Sequence, residues 1–137
     1  MNSMKAGTIL VVEDDESLRR VMQMQLEKAG HKTTVAGDVP QALEILQQER
    51  QDVVITDLNL PGASGLDLLK KIRTEYACTV TIIITAYGTV AAAVDAMKAG
   101  AYDYLTKPVH PYQLKARVSR ALENQRLVED MQKLPQH

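Results

Sequence analysis

The sequence predicts an α/β fold: a doubly wound, five-stranded parallel sheet, strand order 2-1-3-4-5, with helices on both faces. Three observations carry this. Short apolar runs rich in β-branched residues recur without polar alternation, as strands covered on both faces require. Helical periodicities lie between them, so strand and helix alternate five times along 137 residues, the pattern of a parallel sheet with right-handed crossovers. Two further strand candidates mix polar with apolar residues and belong at the edges, which leaves the first, third and fourth strands in the centre.

The elements follow in order. Thr8-Ile9-Leu10-Val11-Val12 is the first strand, and Leu18, Val21, Met22, Gln25, Leu26 and Ala29 mark one face of the first helix. Lys32 to Ala36 is an edge strand, followed by a helix with Val39, Ala42, Leu43 and Leu46 on its face. Val53 to Thr56 is the third strand, and Leu68, Leu69, Ile72 and Tyr76 carry the third helix. Val80 to Thr85 is the fourth strand, with Val90, Ala93, Val94 and Met97 on the helix after it. Tyr102 to Thr106 is the second edge. Lys28-Ala29-Gly30 and Lys98-Ala99-Gly100 both read as helix ends, a cation facing the dipole and a glycine free to turn left-handed. From Pro111 a long helix runs to about Lys133, and its second half, from Glu123, is expected to project beyond the sheet. On it Leu127, Met131 and Leu134 keep the spacing of a coiled-coil seam and predict a homodimer.

Composition sets limits on function. Apolar residues are 45% and charged residues 24%, which are ordinary globular values. Lys and Arg number 16 against 17 Asp and Glu, a net charge of −1, and this excludes a dedicated nucleic-acid surface. Cys78 is the single cysteine, so no internal disulfide forms and a reducing compartment fits. No apolar run approaches the roughly 20 residues of a membrane span, and no signal peptide is evident; a soluble, cytoplasmic domain is expected. His31 reads as a solvated loop residue and Cys78 as a loop or packing residue.

The informative residues cluster where the topology brings strand ends together. The first strand runs into Glu13-Asp14-Asp15-Glu16, the third into Asp57, the fourth ends in Thr85, and the fifth is followed by Lys107-Pro108. Asp15 and Glu16 read as the start of a helix. Glu13, Asp14 and Asp57 are not so easily explained, and with Thr85 and Lys107 they meet at the crevice where the winding reverses. Clustered carboxylates repel unless a cation joins them. Oxygen donors without a His or Cys cluster favour Mg²⁺, or Mn²⁺ in its place. A lysine beside them suits a phosphoryl group, and a carboxylate can attack phosphorus to form an acyl phosphate.

Four stretches carry a resemblance. Ile9-Leu10-Val11-Val12-Glu13-Asp14-Asp15, Asp57-Leu58-Asn59-Leu60-Pro61-Gly62, Thr85-Ala86-Tyr87-Gly88 and Asp103-Tyr104-Leu105-Thr106-Lys107-Pro108 resemble, in order and spacing, the receiver domain of two-component response regulators, a flavodoxin-like fold. The resemblance covers about residues 7–125, leaving 126–137 as the start of a linker helix toward an output domain absent from this chain. It implies Asp57 as phosphoacceptor for a sensor histidine kinase. It implies Asp14, Asp57 and the backbone carbonyl of Asn59 as Mg²⁺ ligands, with Glu13 acting through water. Lys107 and Thr85 would contact phosphoryl oxygens, and Tyr104 would be the aromatic switch. Lys107-Pro108 is expected to be cis. Tyr87 and Asn59 occupy positions that tune phosphoryl lifetime. Glu13 stands where Asp is commoner and Leu60 where Met is usual. The run from Thr85 to Leu105 is most similar to the receivers of NtrC-type sigma-54-dependent activators, so transcriptional control, with DNA met only through the output domain, is implied. A stand-alone receiver is the alternative. A haloacid-dehalogenase-like phosphatase would want an acid where Asn59 stands. A flavodoxin-like nucleotide binder would want a Gly-rich loop where Glu13-Asp14-Asp15 stand.

Overall fold

The computed structural model describes residues 6–86 and 88–132. Five strands, β1 (Thr8–Val12), β2 (Lys32–Ala36), β3 (Val53–Thr56), β6 (Val80–Thr85) and β7 (Asp103–Thr106), form one parallel sheet in the order β2-β1-β3-β6-β7. This is the expected topology with β2 and β7 at the edges. A two-stranded antiparallel hairpin, β4 (Asn59–Leu60) and β5 (Ala63–Ser64), adds to it in what the sequence reads as plain loop after Asp57.

The central strands feed both faces alternately, which is why they lack polar alternation. Ile9, Val11, Val53, Ile55, Ile82 and Ile84 pack under α1 (Glu16–Lys28) and α5 (Pro111–Gln132), against Met22, Leu26, Leu114 and Val118. Leu10, Val12 and Val54 pack under α2 (Val39–Gln48) and α3 (Gly65–Glu75), against Ala42, Leu46, Leu68 and Ile72. Asp15, Asp38, Ser64 and Thr89 cap α1, α2, α3 and α4 (Val90–Lys98), each side chain accepting from the N–H three residues on; such a cap contributes about 1 kcal/mol. Gly30 and Gly100 take the left-handed turns expected after α1 and α4, at φ +99° and +106°.

Three expectations are corrected. On α4 the buried residue is Ala96, packed with Leu69, Ile83 and Ala101. Val90, Val94 and Met97 face outward, 82%, 43% and 48% exposed. With apolar residues nearly all round, α4 turns its smallest side chains to the sheet. The second half of α5 does not project freely: within it Gln125 is buried and Glu129 pairs with Arg50, while Leu127 and Met131 are exposed. Lys133 and Leu134 lie outside the described residues, as does Tyr87. His31 is no solvated loop residue. It is 4% exposed, because the turn at Gly30 brings its ring beneath α5, where Nδ1 accepts the Gly7 N–H at 3.0 Å. Among the described residues no helix is long and apolar enough to cross a membrane.

Candidate functional site

Parallel strands end on one rim, and β1, β3, β6 and β7 deliver Glu13, Asp57, Thr85 and Lys107 to it. Main-chain bonds set the register: the Asp57 N–H donates to the Val12 carbonyl and the Lys107 N–H to the Thr85 carbonyl. The Lys107-Pro108 bond is cis, and the Lys107 ammonium donates to Asp57 Oδ2 at 2.6 Å and to Glu13 Oε1 at 2.7 Å. The Asn59 N–H donates to Asp57 Oδ1 and the Asp15 N–H to Glu13 Oε2. Glu13 and Asp57 are 2% and 7% exposed and Thr85 is fully buried. Asp14 and Asn59 stand exposed at the rim, beside this cluster rather than inside it. Tyr104 is half-buried, packed against the cluster of Leu69, Ile83, Ala96 and Ala101.

Electrostatics follow from burial and partners. Burial pushes the Glu13 carboxyl above its usual range, against the pull of Lys107 and the Asp15 N–H. Burial pulls Lys107 down, but its bonds to Asp57 and Glu13 outweigh that and leave it raised. Burial, and then the charge of Asp57, raise Tyr104. Two carboxylates on Lys107, with Asp14 next to them on the rim, leave an excess of negative charge, and the donors are all oxygen. That set suits a hard divalent cation such as Mg²⁺. Among the described residues no three His, Cys, Asp or Glu side chains already close on one point; the donors would be the buried pair, Asp14 beside it and a main-chain carbonyl.

Two supporting residues escape sequence reading. Arg19 on α1 donates to the Glu13 carbonyl at 2.9 Å and so ties down the turn that carries the acidic residues. Gly65 lies so close to the Asp57 main chain that a Cβ there would overlap the Asp57 carbonyl oxygen. Both contacts are short in sequence, one back across the turn into α1 and one across the β4–β5 hairpin, but neither follows a capping or periodicity pattern.

A parallel α/β domain with an acidic pair and a lysine on its carboxyl rim defines a class of signalling fold, and the comparisons name it. The family model for the response regulator receiver domain matches residues 9–119. The chain belongs to that family. It is 38% identical over 132 residues to the alginate biosynthesis transcriptional regulatory protein AlgB of Pseudomonas aeruginosa, covering 96% of this chain and 29% of AlgB. It is 38% identical over 121 residues to the DNA-binding transcriptional regulator NtrC of Escherichia coli K12, covering 88% and 26%. A receiver-domain structure from Clostridium thermocellum superposes with a TM-score of 0.84 at 32% identity, covering 89% of this chain and 98% of that one. The chain thus spans under a third of these curated relatives. Family and fold agree with the sequence resemblance, and the phosphatase and nucleotide-binding readings are left without support.

Proposed function

We propose that Asp57 accepts a phosphoryl group from the phosphohistidine of a sensor histidine kinase, and that the surface around Thr85 and Tyr104 answers by rearranging. The observation that carries this is the grip of Lys107 on Asp57 and Glu13 at the crevice rim. In the transfer a carboxylate oxygen of Asp57 forms a bond to phosphorus while the bond from phosphorus to the donor imidazole breaks, its nitrogen keeping the electron pair. Lys107 would stay with the incoming oxygens, and the buried Thr85 hydroxyl would donate to another. Mg²⁺ (or Mn²⁺) would be held by Asp14, Asp57 and the Asn59 carbonyl, with Glu13 through water, and supplies charge neutralisation between carboxylate and phosphoryl oxygens. An apolar groove of about 360 Å³ borders Lys107, lined by Leu18, Val21, Met22 and Val109 among others, and offers the donor a place to dock.

Residues 7–125 are the receiver unit in this reading, and 126–137 begin a linker. The relatives are longer and named as transcriptional regulators; in this reading the response would be passed to an output domain, through which alone DNA would be met. The cytoplasm is the expected compartment. A second copy is the expected partner along the exposed Leu127 and Met131 of α5, with the exposed face of α4 as the competing surface.

Incubating the chain with Mg²⁺ and acetyl phosphate tests the reading. Intact-mass spectrometry should show one phosphoryl group added to the parent and none to Asp57→Asn. Sedimentation of the same samples, beside a chain ending at Asn124, should show self-association that needs the end of α5. Unchanged labelling of Asp57→Asn would refute the acceptor role, and purely monomeric behaviour of the full chain, labelled or not, the homodimer.

A further inference from the structure

The end of the sheet opposite Asp57 buries a second set of polar side chains. His31, Gln51 and Gln125 are 4%, 0% and 2% exposed. His31 Nε2, both polar atoms of Gln51 and Gln125 Nε2 find no hydrogen-bond partner among the described residues. Such groups are uncommon in native interiors, and each invites an explanation. Strand alternation puts His31, Gly7 and Gln51 in line with Val35, Ile9 and Val53, on the face covered by α1 and α5. Gly7 is the pivot. Its N–H donates to His31 Nδ1 at 3.0 Å, and the place its Cβ would occupy is filled by Leu122 of α5. Gln125 lies three residues beyond Leu122 on the same helix.

The charges acting on His31 are two cations of α5, Arg126 and Lys115. The carboxylates at this end are engaged elsewhere. Asp52 accepts the Thr8 N–H at 3.0 Å and lies 3.8 Å from Arg50, Glu129 pairs with Arg50, and Glu49 pairs with Lys32. Glu27 and Lys28, at the end of α1, are exposed.

We propose that His31 is a proton-sensitive latch for the C-terminal half of α5: uncharged, it lets residues 121–132 lie on the sheet, and protonated, it releases them. An imidazole that accepts an N–H at Nδ1 must be unprotonated there. A proton on Nδ1 would set donor against donor at Gly7 and place a cation in a buried layer, within the field of the half-buried Arg126 and the exposed Lys115. Burial first, and then Arg126 and Lys115, hold its pKa below the ordinary 6.5. The folded state therefore binds fewer protons than the unfolded one: the contribution is present above the unfolded value and is lost as pH falls through the folded one. The cheap route to hydration is to lift α5, since β1 and β3 are central strands, whereas the Glu129–Arg50 pair near the helix end is partly exposed and worth at most about 1 kcal/mol. Local opening of this kind need not unfold the sheet. The latch is independent of phosphoryl transfer.

Hydrogen exchange of the full chain, corrected for intrinsic rates, decides the matter at about pH 7.5 and about pH 5.5, on either side of the ordinary histidine value. Protection of residues 121–132 relative to β1 should drop about tenfold at the lower pH, since stability lost to proton binding appears as lost protection of the segment that opens. His31→Asn offers an oxygen near the Nδ1 position and does not titrate, so its ratio should stay constant. The imidazole NMR signal missing from that variant should titrate below 6.5 in the parent. A constant ratio in the parent, the same drop in the variant, or an ordinary titration of His31 would overturn the latch. Should His31→Asn not fold, the parent's exchange ratio and ring titration still decide it.

Discussion

At the carboxyl end of the sheet, Glu13 and Asp57 are buried with a lysine within hydrogen-bond distance of both. At the amino end, His31, Gln51 and Gln125 are as deeply buried, and each keeps a polar atom without a partner among the described residues. The first end has more negative charge than its lysine neutralises, a cost at rest that leaves it able to take a further cation or a new set of oxygens. The second end is neutral, and its integrity depends on staying so. One is a place where charge can be exchanged; the other holds a helix down.

The largest separation between the two ends should come from their glycines. Gly65→Ala drives a Cβ into the Asp57 carbonyl, and main chain in a packed loop has little room to move. The expected cost is about 3 kcal/mol, with phosphoryl acceptance lost alongside. Gly7→Ala meets only the end of the Leu122 side chain, which can change rotamer, so about 1 kcal/mol is expected. Urea unfolding of both variants measures this. Equal losses would mean that the amino end is as rigid as the Asp57 loop.

A second contrast is electrostatic. Lys107→Met leaves Glu13 and Asp57 buried without their shared cation. A fully buried pair broken this way costs about 3–5 kcal/mol, and because the Lys107 side chain is 20% exposed, about 2 kcal/mol is expected here. Two adjacent carboxylates raise the pKa of one of them, so the loss should be largest at neutral pH and shrink on acidification. Stability at the amino end should move the other way with pH if His31 is the latch. A Lys107→Met loss that does not change with pH would show that packing rather than charge was removed.

What the sequence reveals follows from where the determining contacts lie. Strand order was legible because burial on both faces writes itself into Ile9–Val12 and Val80–Thr85, and edge exposure into Lys32–Ala36. The rim cluster was legible because topology alone carries strand ends to one place. α4 misled because nearly every residue of Val90–Lys98 is small or apolar, so periodicity could not say that Ala96 faces inward. His31 misled because its local context is a helix-ending glycine, while its fate is set by Gly7, 24 residues earlier in sequence, and by α5. The order of the α5 end likewise depends on Arg50 and on a buried glutamine, neither of which a heptad pattern reports.

The smallest effect expected is a gain. Glu13 is 2% exposed and shares Lys107 with Asp57, so burial outweighs its partners and raises its pKa above 4.5. An acid with a raised folded pKa contributes stability below its unfolded value and loses it as pH rises through the folded value. At neutral pH the ionised Glu13 is therefore a cost that the resting protein carries. Glu13→Gln keeps a carbonyl oxygen for the lysine, removes the buried charge, and leaves Lys107 to Asp57 alone. A stabilisation of about 1 kcal/mol is expected at pH 7, roughly 4 °C in melting temperature for a domain of this size, vanishing toward pH 4 where the parent carboxyl is itself protonated. Phosphoryl acceptance should fall in the same variant if Glu13 serves the metal. Denaturation curves at both pH values check the stability, and labelling with acetyl phosphate checks the function. A variant no more stable than the parent at neutral pH would show that Lys107 fully compensates both carboxylates. A more stable variant with normal labelling would remove Glu13 from the metal site while keeping it as an electrostatic burden.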